Sequence, residues 1–217
     1  MNWPPSPINH NCYCVFLRIF NDFIYAACLN GGGLKKATVS NPNLIDYQNW
    51  QVVASGDYLA VEANEDKLYT IRTNRRIYEV VNDVLNEQFL YAETPVEIQS
   101  VEGNLLVSTN ANVFVYDSDF NLLSQASTNV DFTTQFTSSS TDGEYIYIGT
   151  QDFGVLKALI SNPLFFEEVR PEGPLRNNTF SVESGYGSVW ATYGDFTIFY
   201  NPSPVRAYGV SHLKDEQ

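Results

Sequence analysis

The residue types that most often carry catalysis are sparse in this chain. The only two histidines are His10 and His212, and the three cysteines are Cys12, Cys14 and Cys28. A Ser-His-Asp or Cys-His arrangement needs an imidazole beside its nucleophile. A tetrahedral zinc site needs more ligands than one histidine next to a Cys-x-Cys pair. We therefore predict no catalytic residue, no metal ligand, no cofactor and no enzymatic activity.

Carboxylates are plentiful, but they do not form a recognisable catalytic or calcium-binding motif. A glycosidase needs two carboxylates that flank the scissile bond, and no acidic pair stands out from the acidic background. Asp117-Ser118-Asp119 follows a predicted strand and offers oxygen ligands, yet the remainder of a calcium loop is absent. Asx residues are common in the turns that connect strands, so we predict a turn at this position.

The cysteines admit a structural interpretation. Cys12 and Cys14 are two residues apart and lie on one face if they belong to a strand. If Asn21-Asp22 turns a hairpin, Cys28 lies opposite Val15, which is on the other face, and a disulfide would need a shift of strand register. We predict instead that the cysteines are small buried hydrophobic residues.

An internal repeat gives the fold. A turn followed by apolar or aromatic residues, and then by small or polar ones, recurs five times, anchored at Tyr25, Tyr69, Leu106, Tyr147 and Trp190. The mean interval of about 41 residues is typical of one four-stranded propeller blade. Short alternating segments flank each anchor, and Asp- and Gly-containing turns separate them. The sequence therefore predicts an all-β fold, a β-propeller of four-stranded blades with about five blades present.

The repeat also predicts the domain organisation. We expect residues 1–217 to form a single propeller domain or a propeller fragment. The fifth repeat begins near Phe180, and no outer strand is visible before Gln217. The segment from Met1 to His10 is rich in proline and is a poor strand to complete that blade. These features predict an incomplete part of a larger propeller.

Charge and composition exclude several classes of partner. Lys and Arg number 12 against 25 Asp and Glu, which gives a net charge of −13. Nucleic-acid binding rests on clustered cations, and an anionic membrane repels such a chain. No apolar run is long enough to span a bilayer, and no signal peptide is recognisable. An anionic polysaccharide would require a local basic patch, for which the candidates are Lys35, Lys36, Arg72, Arg75 and Arg76.

The C-terminal repeats resemble those of two-component-regulator propellers. The positions that match their Leu-Ser-Asn-Asn and Trp signature are Leu175, Asn177, Asn178 and Trp190. Arg176 replaces the usual serine. Ile148-Gly149-Thr150, followed by Gly154-Val155, also fits the Ile-Gly-Thr pattern of these repeats. One function implied by this resemblance is the periplasmic sensor propeller of a hybrid two-component regulator, which would be followed by a transmembrane helix and a kinase.

A further stretch carries a narrower resemblance. Tyr200-Asn201-Pro202-Ser203-Pro204, followed by Gly209-Val210-Ser211, is similar to the N-terminal propeller of PorZ-type proteins, surface components of the type IX secretion system in Bacteroidota. The resemblance implies an extracytoplasmic location, at the cell surface or in the periplasm. It also implies a non-enzymatic binding or scaffold module for protein secretion, with surface polysaccharide, including lipopolysaccharide, or secretion-complex proteins as partners.

We expect structural roles for the motif residues of both resemblances. Asparagine side chains can bond backbone amides of a loop, prolines stiffen an extended segment, and a tryptophan can fill the space between blades. The motif residues are Leu175, Asn177, Asn178, Trp190, Tyr200, Asn201, Pro202, Pro204 and Gly209.

Overall fold

The computed structural model describes residues 13–169, 179–185, 187–193, 195–196, 198–199, 202–203 and 210–214. Apart from one short 3-10 turn at Tyr47–Asn49, every regular element in these ranges is a β-strand, so the predicted all-β class is confirmed. No helix in the described ranges has the length and apolar character to cross a membrane. The chain divides into two compact units, Met1–Val169 and Arg170–Gln217, and the prediction of a single domain stays a prediction.

The first unit contains four antiparallel sheets, each of four strands in chain order. We call these sheets blades 1 to 4. Blades 1 and 2 comprise β1 (Cys14–Phe20), β2 (Phe23–Cys28), β3 (Gly33–Thr38), β4 (Gln51–Ala54), β5 (Tyr58–Asn64), β6 (Lys67–Arg72), β7 (Arg76–Val81) and β8 (Val84–Leu90). Blades 3 and 4 comprise β9 (Glu97–Val101), β10 (Asn104–Ser108), β11 (Asn112–Tyr116), β12 (Leu122–Ser127), β13 (Phe136–Thr141), β14 (Tyr145–Thr150), β15 (Val155–Leu159) and β16 (Asn162–Val169).

The second unit contains a fifth sheet and a short strand pair. The sheet comprises β17 (Thr179–Gly185), β18 (Ser188–Tyr193) and β21 (Val210–Lys214), and the pair comprises β19 (Asp195–Phe196) and β20 (Pro202–Ser203). The fifth sheet therefore has three strands among the described residues, where each of the first four has four. This difference agrees with the predicted incomplete last blade.

Each repeat anchor is the third residue of the second strand in its sheet. Tyr25, Tyr69 and Leu106 pack in three separate apolar clusters, each between the anchor's own blade and the next one. Because side chains alternate along a strand, the preceding residue faces the other way, and Leu68 and Leu105 accordingly pack against the previous blade. Because of this alternation, the second strand of a blade packs against the blade before it and the blade after it.

The cysteine prediction is wrong. Cys14 and Cys28 form a disulfide. Phe16 pairs with Ala27, as a hairpin turned at Asn21-Asp22 requires, but a bulge between Cys14 and Phe16 then places Cys14 opposite Cys28. This bulge is the register shift that a bridge needs, because the extra residue in one strand changes the face on which later side chains lie. Cys12 lies outside the described residues.

Gly31, in the turn between β2 and β3, and Gly33, the first residue of β3, differ in the space that an added side chain would have. Gly33 has φ +81°, and a Cβ there would lie 2.6 Å from the Ala54 carbonyl oxygen, whereas at Gly31, with φ +76°, a Cβ would meet nothing within 4 Å. Left-handed backbone costs a side-chain-bearing residue roughly 1–2 kcal/mol, and a forced contact adds about 1–3 kcal/mol. We expect Gly33→Ala to lower the free energy of unfolding by about 2–4 kcal/mol and Gly31→Ala by about 1 kcal/mol. Urea denaturation measures both losses, and equal losses would contradict the close approach to Ala54.

Candidate functional site

Polar side chains link the first strands of successive blades. Both Nε and Nη2 of Arg18 in β1 lie 2.6 Å from Oε2 of Glu62 in β5. The Ser100 hydroxyl in β9 donates a 2.8 Å hydrogen bond to Oδ1 of Asn64 in β5. The backbone N–H of Ser139 in β13 donates a 2.8 Å hydrogen bond to Oε2 of a β9 carboxylate, Glu97. Each blade of the first unit is therefore tied to its neighbour by a polar contact.

Glu62 and Glu97 are the carboxylates in this unit whose environment most resembles that of catalytic acids. Burial raises the pKa of Glu62 although the Arg18 guanidinium opposes the shift, and burial also raises the pKa of Glu97 against the Ser139 N–H. Raised carboxyl pKa values are a property of general acids. Here each carboxylate is already held by a partner on an adjacent blade, which gives both a structural role. The sequence signal for Glu62 is weak, a single charge at the end of the alternating run Tyr58–Glu62.

A shallow cavity of about 270 Å³ opens on blade 4, between the hairpin of β15 and β16 and the start of β14. We call it the blade-4 pocket. It is lined by Tyr145, Lys157, Ala158, Leu159, Asn162, Phe165, Phe166 and Glu167. Its volume is slightly below the range of drug-sized small-molecule sites, about 300–1,000 Å³, and suits a ligand of one or two sugar units. The lining combines aromatic rings with an ammonium, a carboxylate and an amide, so it can stack on a ligand and also hydrogen-bond to it.

The charged groups of the pocket hold each other in place. Nζ of Lys157 lies 3.1 Å from a Glu167 carboxylate oxygen and 4.6 Å from the centre of the Tyr145 ring. The hydrogen bond to Glu167 raises the pKa of Lys157, which therefore stays protonated. Phe165 lines the same pocket, and 73% of the residue is exposed. The pocket thus presents a charge-compensated ion pair beside an accessible aromatic ring.

The five cations proposed from the sequence as a basic patch lie in two places, with Lys35 and Lys36 on β3 and the three arginines at the hairpin between β6 and β7. Lys35 and Lys36 are adjacent in β3 and so lie on opposite faces of the sheet. Nζ of Lys36 lies 2.6 Å from an Asp83 oxygen, and Nε of Arg76 lies 3.0 Å from a Glu87 oxygen, so their charges are compensated.

The other two arginines, Arg72 and Arg75, contact groups in blade 2 and in the segment that follows it. The Arg72 guanidinium lies 5.3 Å from the centre of the Tyr58 ring. Arg75 donates a hydrogen bond to the backbone carbonyl of Ala92. These contacts orient the two guanidinium groups, whereas Lys36 and Arg76 are the two of the five cations whose charges are compensated by a carboxylate.

The segment Asp117-Ser118-Asp119 forms the turn that the sequence predicts. Oδ1 of Asp117 accepts hydrogen bonds from the backbone N–H groups of Asp119 and Asn121, at 2.9 and 2.8 Å, and Oδ2 accepts one from the Asn121 amide at 2.9 Å. These hydrogen bonds lower the pKa of Asp117, and the bond from the Asn121 side chain has the largest effect. Within the described ranges, His, Cys, Asp and Glu side chains form no group of three suited to a metal ion.

Most of the motif residues predicted from the sequence lie outside the described residues. They are Leu175, Asn177, Asn178, Tyr200, Asn201, Pro204 and Gly209. Pro202 lies in β20. Trp190 in β18 is 46% exposed and stacks on His212 of the paired strand β21, with ring centres 3.8 Å apart. Its predicted packing between blades stays a prediction, as do the structural roles of the other motif residues.

Comparison with known proteins adds information on the fold. No protein-family model and no curated protein matches the chain. Among solved structures, PorZ, an essential surface component of the type IX secretion system of Porphyromonas gingivalis, aligns with 85% of the chain at 13% identity and a TM-score of 0.55. The chain spans 25% of the length of PorZ.

Two further solved structures give the same result. The WD40 β-propeller domain of Doa1 aligns with 85% of the chain and 63% of its own length, at 9% identity and a TM-score of 0.56. The CNH domain of AfRom2 aligns with 85% of the chain and 67% of its own length, at 8% identity and a TM-score of 0.59. The chain has a β-propeller fold. At these identities the likeness extends to the fold of the propeller alone.

Proposed function

We propose that this propeller is a non-enzymatic binding module of an extracytoplasmic surface component similar to PorZ, and that it holds neutral sugar units of a surface polysaccharide in the blade-4 pocket. The observation that carries the proposal is the pocket itself, in which the exposed ring of Phe165 stands beside Asn162 and the Lys157–Glu167 pair. Binding sites of this kind combine apolar and aromatic walls with a few placed polar groups.

The chemistry of the pocket favours a sugar ring over an anionic group. A sugar presents a C–H face that can pack on an aromatic ring, and its hydroxyls can donate to Glu167 and accept from Lys157 or the Asn162 amide. An anion would need an unpaired cation, whereas the charge of Lys157 is compensated by Glu167 at 3.1 Å. The ion pairs of Lys36 with Asp83 and of Arg76 with Glu87 in the neighbouring blades support the same preference for a neutral ligand.

The disulfide supports the location outside the cytoplasm. Cys14 and Cys28 are bridged, and such bridges persist in oxidising compartments but are rare in the cytosol. The similarity in fold to PorZ, a bacterial surface component, supports the same location. A role in type IX secretion follows from the sequence resemblance and is part of the proposal.

We infer that the module is non-enzymatic from the contacts of its two glutamates with raised pKa values, Glu62 and Glu97. Glu62 is bound by Arg18, and Glu97 is bound by the Ser139 N–H. An enzyme acting on glycans would instead need two carboxylates free to flank a glycosidic bond. Turnover of any member of a glycan panel that is lost on Glu62→Gln or Glu97→Gln would overturn this part.

A matched pair of variants tests the pocket. Phe165 and Leu164 are neighbours in β16, each is 73% exposed, and Phe165 lines the pocket whereas Leu164 lies outside it. We expect Phe165→Ala to weaken retention on immobilised lipopolysaccharide by about tenfold, because aromatic residues are enriched among the few contacts whose truncation costs more than about 1 kcal/mol. Leu164→Ala should retain wild-type binding.

The control measurements separate binding from folding. Isothermal titration calorimetry with oligosaccharides released from the same lipopolysaccharide measures the affinity, and thermal unfolding checks that both variants remain folded. Equal binding by the two variants would reject the blade-4 pocket. No detectable binding by the wild-type protein would reject the polysaccharide ligand.

A further inference from the structure

Blade 1 leaves open an apolar position that the other three blades of the first unit bury. The position is the residue just before the anchor of the second strand, which is Ile24 in blade 1 and Leu68, Leu105 and Ile146 in blades 2, 3 and 4. Each of the latter three is at most 1% exposed and lies in the cluster shared with the preceding blade. In blade 1 this residue instead borders a cavity of about 450 Å³. We use the name blade-1 face for the described residues that line this cavity, which are Leu17, Arg18, Ile19 and Ile24.

The register of β1 extends the equivalence to the first strand. Leu17 pairs with the residue two positions after Ile24. Val61 in blade 2 and Ile98 in blade 3 stand in the same relation to their own second strands. Val61 is fully buried and Ile98 is 3% exposed, whereas Leu17 is 59% exposed. Ile19, the next residue on the same face, is 62% exposed. Equivalent strand positions thus differ in exposure, because the cover comes from the adjacent blade and not from the strand itself.

A side chain of the preceding blade provides that cover in blades 2 and 3. The anchor Tyr25 of blade 1 packs in one cluster with Val61 and Leu68 of blade 2. Tyr69 of blade 2 packs in the corresponding cluster with blade 3. Exposed apolar area is unfavourable by about 25 cal/mol per Å². The blade-1 face is therefore complementary to a propeller blade whose second strand carries a large anchor side chain at its third residue.

We propose that the blade-1 face is a docking site for the fifth sheet of a second copy of this chain, with Trp190 as the inserted anchor. Trp190 is the third residue of β18, which is the position of the anchors in blades 1 to 4, and it is 46% exposed. Tryptophan is enriched among the few residues that dominate the energy of interfaces. The two copies contribute different surfaces, so the contact is head-to-tail, and its repetition gives a ring or a filament.

The charges on the two surfaces also match. Arg18 lines the cavity, and 46% of its side chain is exposed although it is paired with Glu62. A guanidinium carries five N–H donors, so Arg18 can bind a second carboxylate while it holds Glu62. Glu183 is the cross-strand partner of Trp190 and is exposed, and directly paired residues lie side by side on one face of a sheet. A copy that inserts Trp190 can therefore place Glu183 against Arg18.

The association state of the full chain tests this docking site. We expect the wild-type chain to form oligomers whose mass rises with concentration, as measured by size-exclusion chromatography with light scattering. Leu17→Asp and Trp190→Ala should each weaken association by at least about tenfold, because each removes a central apolar contact. Leu123→Asp is the matched control, since Leu123 is also an exposed leucine, on β12 of blade 3. This control should associate like the wild-type chain.

A mixture of the two variants tests the head-to-tail arrangement. The Leu17→Asp chain keeps its Trp190, and the Trp190→Ala chain keeps its blade-1 face. Each variant alone lacks one half of the contact, whereas the mixture retains one complete contact. We therefore expect the mixture to form a one-to-one heterodimer and no larger species. Absence of this heterodimer would reject the pairing of Trp190 with the blade-1 face.

The remaining outcomes concern association and folding. A wild-type chain that stays monomeric at all concentrations would overturn the proposal, and so would wild-type association of Trp190→Ala. A monomer whose melting temperature decreases in both Leu17→Asp and Trp190→Ala would assign the blade-1 face to closure within one chain instead. Ile19→Asp repeats the test at a second exposed position. Loss of association in both aspartate variants, with an unchanged melting temperature of the dilute chain, would distinguish docking from misfolding.

Discussion

Removal of the Cys14–Cys28 disulfide is expected to lower the free energy of unfolding by about 3 kcal/mol. The two residues are separated by 14 positions, and a bridge that closes a loop of about 15 residues stabilises a protein by roughly that amount, chiefly by restricting the unfolded chain. For a chain of this size the melting temperature should decrease by roughly 6–12 °C. Thermal unfolding of Cys14→Ala, with and without reductant, measures the effect.

The controls for this prediction use the third cysteine. The reductant should lower the melting temperature of the wild-type protein and leave that of Cys14→Ala unchanged. Chymotryptic cleavage after Tyr13 separates Cys12 from Cys14, so peptide mapping without reduction shows which cysteine is bridged to Cys28. A wild-type melting temperature that does not respond to reductant, or a Cys12–Cys28 peptide, would contradict the bulged register of β1.

Truncation of the anchor in blade 3 is expected to have an effect of similar size. Leu106 is fully buried in a cluster with Phe136, Ile146 and Leu156, which belong to blade 4. Leu→Ala at a buried site costs about 2–5 kcal/mol, because transfer free energy is lost and a cavity remains. We expect Leu106→Ala to lower the free energy of unfolding by about 3–4 kcal/mol, as measured by urea denaturation.

Leu123→Ala serves as the matched control because Leu123 has the same side chain but is exposed on the outer strand β12. It should change the stability by less than about 0.5 kcal/mol. Hydrogen exchange adds a spatial readout, since Leu106→Ala should speed exchange in β13 and β14 as well as in its own strand. Faster exchange confined to blade 3 would show that the two blades are not coupled through this cluster.

The two sets of interactions stabilise the propeller in different ways. The apolar clusters between blades depend on burial and include the anchors Tyr25, Tyr69 and Leu106. The polar contacts Arg18–Glu62 and Glu97–Ser139 fix the relative position of the first strands. The blade-4 pocket that we propose as a ligand site shares Phe166 with the cluster between blades 3 and 4, whereas Phe165 on the same strand is exposed. Phe165 can therefore be altered without removing a residue from the core.

The sequence alone determined the architecture of the blades. The period of about 41 residues and the two-residue alternation within each segment are local properties. They placed Tyr25, Tyr69, Leu106, Tyr147 and Trp190 at one equivalent position of the second strand in each sheet. Turn residues such as those at Asp117 were also recognisable, because an Asx side chain bonds to its own backbone neighbours.

Only the tertiary structure decided the contacts that depend on register and on distant strands. A single bulged residue changed the partner of Cys28 from Val15 to Cys14, and no local pattern in the sequence marks a bulge. The pairing of Lys36 with Asp83 joins residues 47 positions apart, and that of Arg18 with Glu62 joins residues 44 apart. The blade-4 pocket needs β14, β15 and β16 side by side before its rings and charges meet. Local alternation fixes which face of a strand a residue occupies, whereas the packing of one blade on another fixes what that residue touches.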